Sequence, residues 1–228
     1  MSAALPPPPA EAAELFGAAW DTAKRFAELL ATDGVTRGLI GPRETSRLWE
    51  RHLLNCAVLA DLVPDRGEVV DIGSGAGLPG VLLAMLRPRA RVILLEPLLR
   101  RSVFLDECVA RLGLSNATVV RGRAEEMAGV IRADIATARA VAPLDRLVGW
   151  AAGVVRPGGQ ILAIKGESAE EELAVAGPVL SRLGARSAEV LRVGHGRVIS
   201  ATTVVRVVIG GRGREEQAGA HRSRRGVA

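Results

Sequence analysis

The glycine-rich segment 69–80 is the part of this 228-residue chain whose residue types and spacing best suit chemistry. Residues 68–72 form a short, mostly apolar run that predicts a buried strand. Glycines then follow at every second position: Gly73, Gly75 and Gly77. Because glycine has no Cβ, it allows a sharp turn and a close approach to a ligand, and Pro79 suits the first turn of a helix. A strand, a glycine loop and a helix start predict a nucleotide-binding corner of a parallel sheet.

Two carboxylates near this loop narrow the class of ligand. Glu96 ends the apolar run 91–95, about one βαβ unit after the glycines, where a carboxylate accepts both hydroxyls of a ribose. Asp71 lies two residues before the first glycine, where a negative charge suits a cofactor with a cationic end. S-adenosylmethionine carries a sulfonium and an ammonium group, so it fits these acids better than NAD does. The alternative for Asp71 is a structural role as a cap of the loop or of the helix.

Composition limits the remaining classes of protein. A chain of this length can bury a full core, and no run of 18 apolar residues predicts a membrane span. No basic segment followed by an apolar one marks the N-terminus as a secretion signal, so we expect a cytoplasmic protein. Cys56 and Cys108 lie far apart and form no CxxC motif, which predicts small, reduced core residues and no metal site.

The positive charge of the chain is unevenly distributed. The net charge of +5 divides into −3 for residues 1–65, +5 for residues 66–209 and +3 for residues 210–228. This excess favours a polyanionic partner. Tyrosine is absent and aromatic residues make up only 3% of the chain, which argues against a base-stacking platform. Binding to a nucleic acid would therefore depend on charge and shape.

The order of apolar runs predicts an α/β fold. Helical spacing predicts N-terminal helices near residues 11–31 and 43–63. Strands are predicted near residues 69–72, 91–95, 117–121, 134–138, 160–165, 186–192 and 201–208. Helices are predicted near residues 79–87, 98–112, 143–155 and 168–183. Only a glycine-bearing turn separates the last two strands, so they should form an antiparallel hairpin.

Seven strands that end in such a hairpin are typical of a Rossmann-like methyltransferase rather than of a dinucleotide dehydrogenase. We therefore predict three parts: an N-terminal helical extension (1–65), a methyltransferase domain (66–209) and a disordered basic tail (210–228).

Ligands of open α/β sheets bind outside the carboxyl ends of the strands. Arg87, Arg89 and Arg91 precede the second strand, so we expect them at the opposite rim, as a solvated edge. Seven cations follow strands and should gather on the ligand side: Arg100, Arg101, Arg121, Arg123, Arg139, Lys165 and Arg197. A solvated charged face without a function is the alternative for these residues.

Six segments together resemble the bacterial small-subunit ribosomal RNA guanine-N7 methyltransferases, the family once named glucose-inhibited division protein B. They are residues 38–41 (GLIG), 48–55 (LWERHLLN), 70–80 (VDIGSGAGLPG), 121–126 (RGRAEE), 138–142 (ARAVA) and 162–166 (LAIKG). The likeness covers roughly residues 35–208. The family often has aspartate where Asn55 and Glu96 stand here, and glutamate has the longer reach.

The resemblance implies a cofactor, a substrate and their ligands. The cofactor would be S-adenosylmethionine and the substrate the 16S ribosomal RNA of the small subunit. The implied cofactor ligands are Gly73, Leu78, Ala124, Glu125 and Arg139, with Glu96 on the ribose; Gly75 and Asp71 join them from the loop itself. For RNA binding we expect Arg100, Arg123, Lys165 and Arg197, and also His52, for which packing on an apolar helix face is the alternative. A monomer is expected.

The chemistry of guanine N7 predicts a site without a catalytic residue. N7 carries a lone pair and no proton, so the protein needs only to align the reactants and exclude water. Segment 138–142 lacks the Asn-Pro-Pro-Tyr or Asp-Pro-Pro-Tyr motif that amine methyltransferases use after the fourth strand. Two alternatives remain open: an NAD-dependent oxidoreductase, and a non-catalytic protein that binds RNA or a nucleotide.

Overall fold

A computed structural model describes residues 5–210, so all of the predicted basic tail except Gly210 lies outside the described residues. Seven strands form one sheet: β1 (Gly67–Ile72), β2 (Ala90–Leu95), β3 (Ala117–Val120), β4 (Ala133–Arg139), β5 (Val155–Lys165), β6 (Ala185–Val193) and β7 (Thr202–Ile209). Their order is β3-β2-β1-β4-β5-β7-β6. Strands β1 to β5 run parallel, whereas β7 runs antiparallel to both β5 and β6. All seven predicted strands and the terminal hairpin are confirmed.

Four helices follow strands as predicted and cover the sheet on both faces. They are α4 (Gly80–Leu86), α5 (Leu99–Leu112), α6 (Leu144–Val154) and α7 (Ala169–Arg182). Helices α4 and α5 share one hydrophobic cluster with the N-terminal segment, and α6 and α7 share a second cluster on the other face. Side chains alternate across the pleated β1: Val69 belongs to the first cluster and Val70 to the second.

The N-terminal segment is helical but more broken than predicted. Three α-helices, α1 (Ala10–Phe16), α2 (Trp20–Leu29) and α3 (Asn55–Ala57), alternate with 3₁₀ turns (Gly17–Ala19, Pro42–Arg47, Val58–Leu62) and π-helical turns (Leu30–Gly34, Leu48–Leu54). The predicted helix 11–31 is interrupted at Gly17, whose φ of +49° lies outside the right-handed helical region. Phe26 and Trp49 are buried in the same cluster as α4, so this segment is a layer on the core of the sheet.

The rim at the amino ends of the strands differs in part from the predicted solvated edge. Arg89 pairs with Asp65 and Arg91 pairs with Glu68, with exposed guanidinium groups as expected. Arg87 is different, because its Nε donates to the carbonyl of Val63 at 2.8 Å and its side chain is mostly buried. It anchors the chain just before β1, which corrects the prediction for this residue.

Two further expectations concern the core and the membrane. Cys56 and Cys108 are free and buried, as predicted for small core residues. Within residues 5–210, no helix is both long enough and apolar enough to cross a membrane.

Candidate active site

The glycine loop follows β1 at the carboxyl rim of the sheet. Gly73, Gly75 and Gly77 have φ values of +65°, +57° and +92°, a region that L side chains rarely adopt. A Cβ on Gly73 would lie 2.9 Å from Cγ2 of Val141, and one on Gly77 would lie 2.5 Å from Cγ2 of Val81. Both conformation and space therefore require glycine at Gly73 and Gly77.

Asp71 supports this loop from below and does not face a ligand. Its side chain is 0% exposed. The backbone N–H of Gly80 donates to Oδ2 at 3.0 Å, and the hydroxyl of Thr137 donates to Oδ1 at 3.0 Å. Burial raises the pKa of Asp71 to about 6, although these hydrogen bonds oppose the shift. The predicted contact with the cofactor is therefore corrected: Asp71 caps the start of α4 and ties β1 to β4.

Glu96 joins the glycine loop to the turn after β2. Its Oε2 accepts the N–H of Gly75 at 3.0 Å and its Oε1 accepts the N–H of Leu98 at 3.0 Å. The side chain is 1% exposed, with the guanidinium of Arg101 3.9 Å away. A carboxylate has lone pairs left for ribose hydroxyls. Because Glu96 is covered, that predicted contact requires a movement of the Gly75 loop or of Arg101.

A small cavity on one side of Gly73 fits a flat apolar ring. It has a volume of about 180 Å³ and lies between the ends of β1 and β2, residues 122–125 and Trp150 of α6. Ala124 is buried and Glu125 exposed, so the wall is apolar and a carboxylate stands at the mouth. Both residues lie where the sequence predicted an adenine contact.

A second cavity on the other side of Gly73 is suited to a charged group. Its volume is about 210 Å³, and it is lined by residues 73–76, Leu78, Leu39, Ile40, His52, Arg101, Arg139 and Ala140. The Nε of Arg101 is buried and has no hydrogen-bond partner among residues 5–210, so its N–H can donate to a bound ligand. Two guanidinium groups, Arg101 and Arg139, suit the carboxylate of an amino acid. We call the two cavities together the cofactor groove, and its shape and donors fit S-adenosylmethionine.

A larger cleft of about 740 Å³ adjoins the groove, and we call it the wide cleft. It lies at the carboxyl ends of β4 and β5 and includes Lys165, Gly166 and Glu172, while the N-terminal segment contributes Arg51 and Asn55. Arg139 and Ala140 line both the groove and the cleft. Ala140 has a φ of +54°, the only positive φ of a non-glycine residue among residues 5–210. This strained turn stands at the junction of the two spaces.

Arg139 is held at this junction by the N-terminal segment. Its Nη2 lies 2.7 Å from Nδ1 of His52, and its Nη1 donates to Sγ of Cys56 at 3.1 Å. The other ring nitrogen of His52 lies 2.8 Å from Oε2 of Glu44. Burial lowers the pKa of His52, and the charge of Arg139 lowers it further. Both ring nitrogens of His52 are therefore engaged within the protein.

The predicted RNA-binding cations fall into two groups. Arg100 and Arg123 are exposed, and neither forms an ion pair within the described part of the chain. Lys165 donates to Oε2 of Glu172 at 2.6 Å and to the carbonyl of Ala142 at 2.8 Å, and its side chain is only 10% exposed. This geometry corrects the phosphate-binding role predicted for Lys165, since its charge is compensated and it braces the end of β5. Arg197 is half-exposed and pairs with Asp61 at 2.6 Å.

Several residues of the site were not predicted. Leu39, Ile40 and Arg51 fall in segments 38–41 and 48–55, so the resemblance pointed to their surroundings without giving them a role. Arg101 stood among the cations of the ligand side, but nothing in the sequence marks its buried Nε. Trp150 lies on a helix of ordinary pattern. Among residues 5–210, no group of three or more His, Cys, Asp or Glu side chains is placed to hold a metal ion.

Comparison with known proteins agrees with this geometry. Residues 20–199 match the family model GidB, rRNA small subunit methyltransferase G. The protein "Ribosomal RNA small subunit methyltransferase G" of Thermobifida fusca is 61% identical over 202 residues, 88% of this chain and 85% of the relative. The protein of the same name from Streptomyces avermitilis is 58% identical over 210 residues, 92% of this chain and 88% of the relative.

Solved structures share the fold at low sequence identity. A putative S-adenosyl-L-methionine-dependent methyltransferase from Methanococcus maripaludis aligns with a TM-score of 0.57 at 15% identity, covering 84% of this chain and 94% of that one. An S-adenosylmethionine-dependent O-methyltransferase from Thermotoga maritima aligns with a TM-score of 0.57 at 13% identity, covering 71% of this chain and 66% of that one. These two likenesses confirm the Rossmann-like methyltransferase fold. With a family model that spans most of its length and relatives above 50% identity, the chain belongs to the rRNA small subunit methyltransferase G family.

Proposed function

We propose that this enzyme transfers a methyl group to N7 of a guanine in the 16S RNA of the small ribosomal subunit. The cofactor is S-adenosylmethionine, which supplies an electrophilic methyl group when it is bound. The observation that carries the proposal is the junction at Arg139 and Ala140, where the cofactor groove opens into a cleft with the volume for a base and its sugar. Membership of a methyltransferase family argues against both the oxidoreductase and the non-catalytic alternative.

The groove offers a place for each part of the cofactor. We assign the adenine to the apolar cavity beside Ala124, Glu125 and Trp150. The amino-acid end belongs at Gly73, Gly75 and Leu78, where Arg101 and Arg139 supply donors for its carboxylate. The ribose belongs beside Glu96 after the local movement described above.

The residues around the cleft fit a reaction that removes no proton. His52 has both ring nitrogens hydrogen-bonded inside the protein, so it holds no free lone pair for a base. The carboxylate of Glu172, which lines the wide cleft, accepts a hydrogen bond from Lys165. Asp71 and Glu96 are buried and accept backbone N–H groups. The enzyme would then accelerate the reaction by aligning N7 with the methyl carbon. Such positioning lowers the activation barrier by at most about 7–11 kcal/mol.

Recognition of guanine would come from donors on the N-terminal segment. Arg51 and Asn55 line the wide cleft, and both side chains offer N–H groups to an acceptor such as O6 of guanine. N7 must stay free for the methyl group, so these donors should bind O6 or a flanking phosphate. We assign RNA phosphates to Arg100 and Arg123 because both side chains are exposed, and Arg197 is a further candidate despite its ion pair. We propose that the enzyme acts in the cytoplasm as a monomer.

Methyl transfer from labelled cofactor tests the proposal. The purified protein is incubated with small ribosomal subunits and, separately, with protein-free 16S RNA, and the labelled nucleoside is identified and mapped. The proposal expects N7-methylguanosine at one position. Label on an exocyclic amine or on a ribose hydroxyl would overturn the N7 assignment, and an absence of label in both substrates would overturn the RNA substrate.

The pH dependence gives a second test of the mechanism. With bound substrate at saturation, the rate of a single turnover should be flat from about pH 6.5 to 9, because no base has to lose a proton first. An acid limb with a midpoint near pH 7, abolished in a single variant that still binds RNA and cofactor, would reveal a catalytic base.

A further inference from the structure

Three side chains form a hydrogen-bonded row from the N-terminal segment to the junction of the groove and the cleft. Glu44 lies in the 3₁₀ turn Pro42–Arg47, His52 in the π-helical turn Leu48–Leu54, and Arg139 at the end of β4. The contacts are 2.8 Å between Glu44 Oε2 and His52 Nε2, and 2.7 Å between His52 Nδ1 and Arg139 Nη2.

The donors in this row fix the protonation of the imidazole. A guanidinium group only donates hydrogen bonds, so Nδ1 of His52 must accept and carries no hydrogen. The single ring hydrogen is then on Nε2, which donates it to the carboxylate of Glu44. That hydrogen bond lowers the pKa of Glu44 and keeps the carboxylate ionised. Glu44 thus selects the one tautomer of His52 that can hold Arg139.

The partners of Arg139 hold its position without neutralising its charge. They are the imidazole of His52, the thiol of Cys56 and the carbonyl of Arg51. Burial raises the pKa of Cys56, so the thiol stays protonated. No carboxylate pairs with Arg139 anywhere in residues 5–210, whereas Lys165 pairs with Glu172 and Arg197 with Asp61. The full positive charge of Arg139 is available to an anion at the junction.

We infer that Glu44 and His52 are positioning residues, which hold the uncompensated guanidinium of Arg139 toward the carboxylate of the bound cofactor. The inference concerns the cofactor site alone, so it does not depend on which base is methylated. A consequence of the inference is that the N-terminal segment, outside the sheet, contributes to cofactor affinity.

The inference carries a pH dependence with a defined sign. Protonation of His52 places a hydrogen on Nδ1 toward Arg139, so the contact is lost and cofactor affinity falls in acid. The charged groups around His52 are Glu44 and Arg51 on its own segment, Arg139 on β4, and Arg101 of α5 across the same cavity. Asp71, below the glycine loop on β1, has a pKa of about 6 and is a second group that gains a proton in acid.

Calorimetric titration with S-adenosylhomocysteine, in a series from pH 7.5 down to pH 4.5, tests the inference without RNA and without turnover. The series extends to pH 4.5 because the pKa of His52 lies below the ordinary value of a histidine. At pH 7.5, His52→Ala should weaken binding about tenfold, and Glu44→Ala severalfold. Glu44→Gln should stay within about threefold of wild type, because its amide oxygen still accepts from Nε2. His52→Gln should also bind within about threefold, since its amide accepts from Arg139 and donates to Glu44.

The fall in affinity between pH 7.5 and pH 4.5 distinguishes a positioning role of His52 from a merely structural one. It should shrink in His52→Gln, which has no proton to gain, and what remains belongs to Asp71. Glu50→Ala is the matched control, because Glu50 is an exposed glutamate of the same segment. If an alanine variant unfolds on heating near room temperature, the acid fall in affinity of His52→Gln still decides the question.

Wild-type affinity in His52→Ala at pH 7.5 would overturn the inference, and so would an unchanged acid fall in His52→Gln. Failure of the proposed function has a different signature, namely normal binding of S-adenosylhomocysteine with no methyl transfer to RNA.

Discussion

The cofactor groove and the wide cleft meet at Arg139, yet backbone forms most of the one and side chains form most of the other. The groove is shaped by backbone: the loop has no space for a Cβ at Gly73 or Gly77, and Asp71 and Glu96 hold it by accepting N–H groups. The cleft is shaped by the ends of long side chains such as Arg51 and Lys165. The comparison teaches that a single added methyl group should damage the groove, whereas the cleft should respond to charge.

A matched pair of glycine substitutions tests this difference most strongly. Gly73→Ala puts a Cβ 2.9 Å from Val141 in a left-handed conformation, whereas a Cβ on Gly166 in the wide cleft has no atom within 4 Å. We expect Gly73→Ala to weaken binding of S-adenosylhomocysteine by about 100-fold or more, because the loop must shift. Gly166→Ala should change it less than twofold, as measured by calorimetry. Equal losses in the two variants would show that the groove is no more constrained than the cleft.

The two lysines of the chain test whether Lys165 serves the fold or the RNA. Lys165→Ala removes hydrogen bonds to Glu172 and Ala142 in a mostly buried setting, so we expect a loss of about 1–3 kcal/mol in the free energy of unfolding. Lys24→Ala breaks an exposed pair with Asp21 and a contact with the ring of Trp20, and it should destabilise the protein less than Lys165→Ala does. Urea unfolding measures both. A stable Lys165→Ala variant with a large loss of RNA affinity would restore the role predicted from the sequence.

Arginines from opposite rims of the sheet test the charge of the ligand side. Arg100→Ala and Arg123→Ala should each lower RNA affinity and reduce the slope of log affinity against log salt by about 0.7 to 0.9, because one phosphate contact is lost. Arg91→Ala is the control, since Arg91 is 79% exposed and pairs with Glu68 at the amino rim. Filter binding over a salt series gives both quantities. An equal change in the control would mean that RNA binding follows overall charge rather than the ligand side.

The smallest expected effect concerns Asp71. Its pKa is raised in the folded protein, so the stability that this group contributes is present below pH 4 and is lost as the pH rises through about 6. Asp71→Asn stays neutral and can still accept from Gly80 and donate to Thr137. Its melting temperature relative to wild type should therefore be higher at pH 7.5 than at pH 4.5, by about 2 °C or more. A relative melting temperature that does not depend on pH would show that Asp71 is ionised as easily in the fold as in solution.

The fold was predictable because its signals are local. Each parallel strand is a mostly apolar run that is followed by a turn. The absence of a helix between β6 and β7 predicted their antiparallel pairing. The N-terminal segment was less predictable. Its apolar period indicates a helix, but Gly17 and Pro42 divide it, and packing on α4 rather than helix propensity decides which turns form.

The candidate site also has a part that was predictable from local sequence and a part that was not. Gly73, Ala124 and Arg139 lie where the sequence predicted, since position after a strand fixes the rim on which a residue lies. The partner of a charged side chain is not a local property. Glu172 lies one helical turn into α7, and its pair with Lys165 turned a predicted RNA contact into a structural brace. Asp71 likewise accepts a hydrogen bond from Thr137, which is 66 residues away in sequence.

The position of β7 in the sheet means that the sheet cannot be completed until the end of synthesis. The last strand of the sheet in sequence lies inside it, between β5 and β6. Until residues 202–209 have left the ribosome, β5 has an open edge and β6 has no strand to pair with, although β1 to β4 can already assemble. Open edges of this kind invite pairing with other chains. A nascent chain arrested shortly before Thr202 should therefore aggregate or bind chaperones, whereas a few more residues of emergence close the sheet.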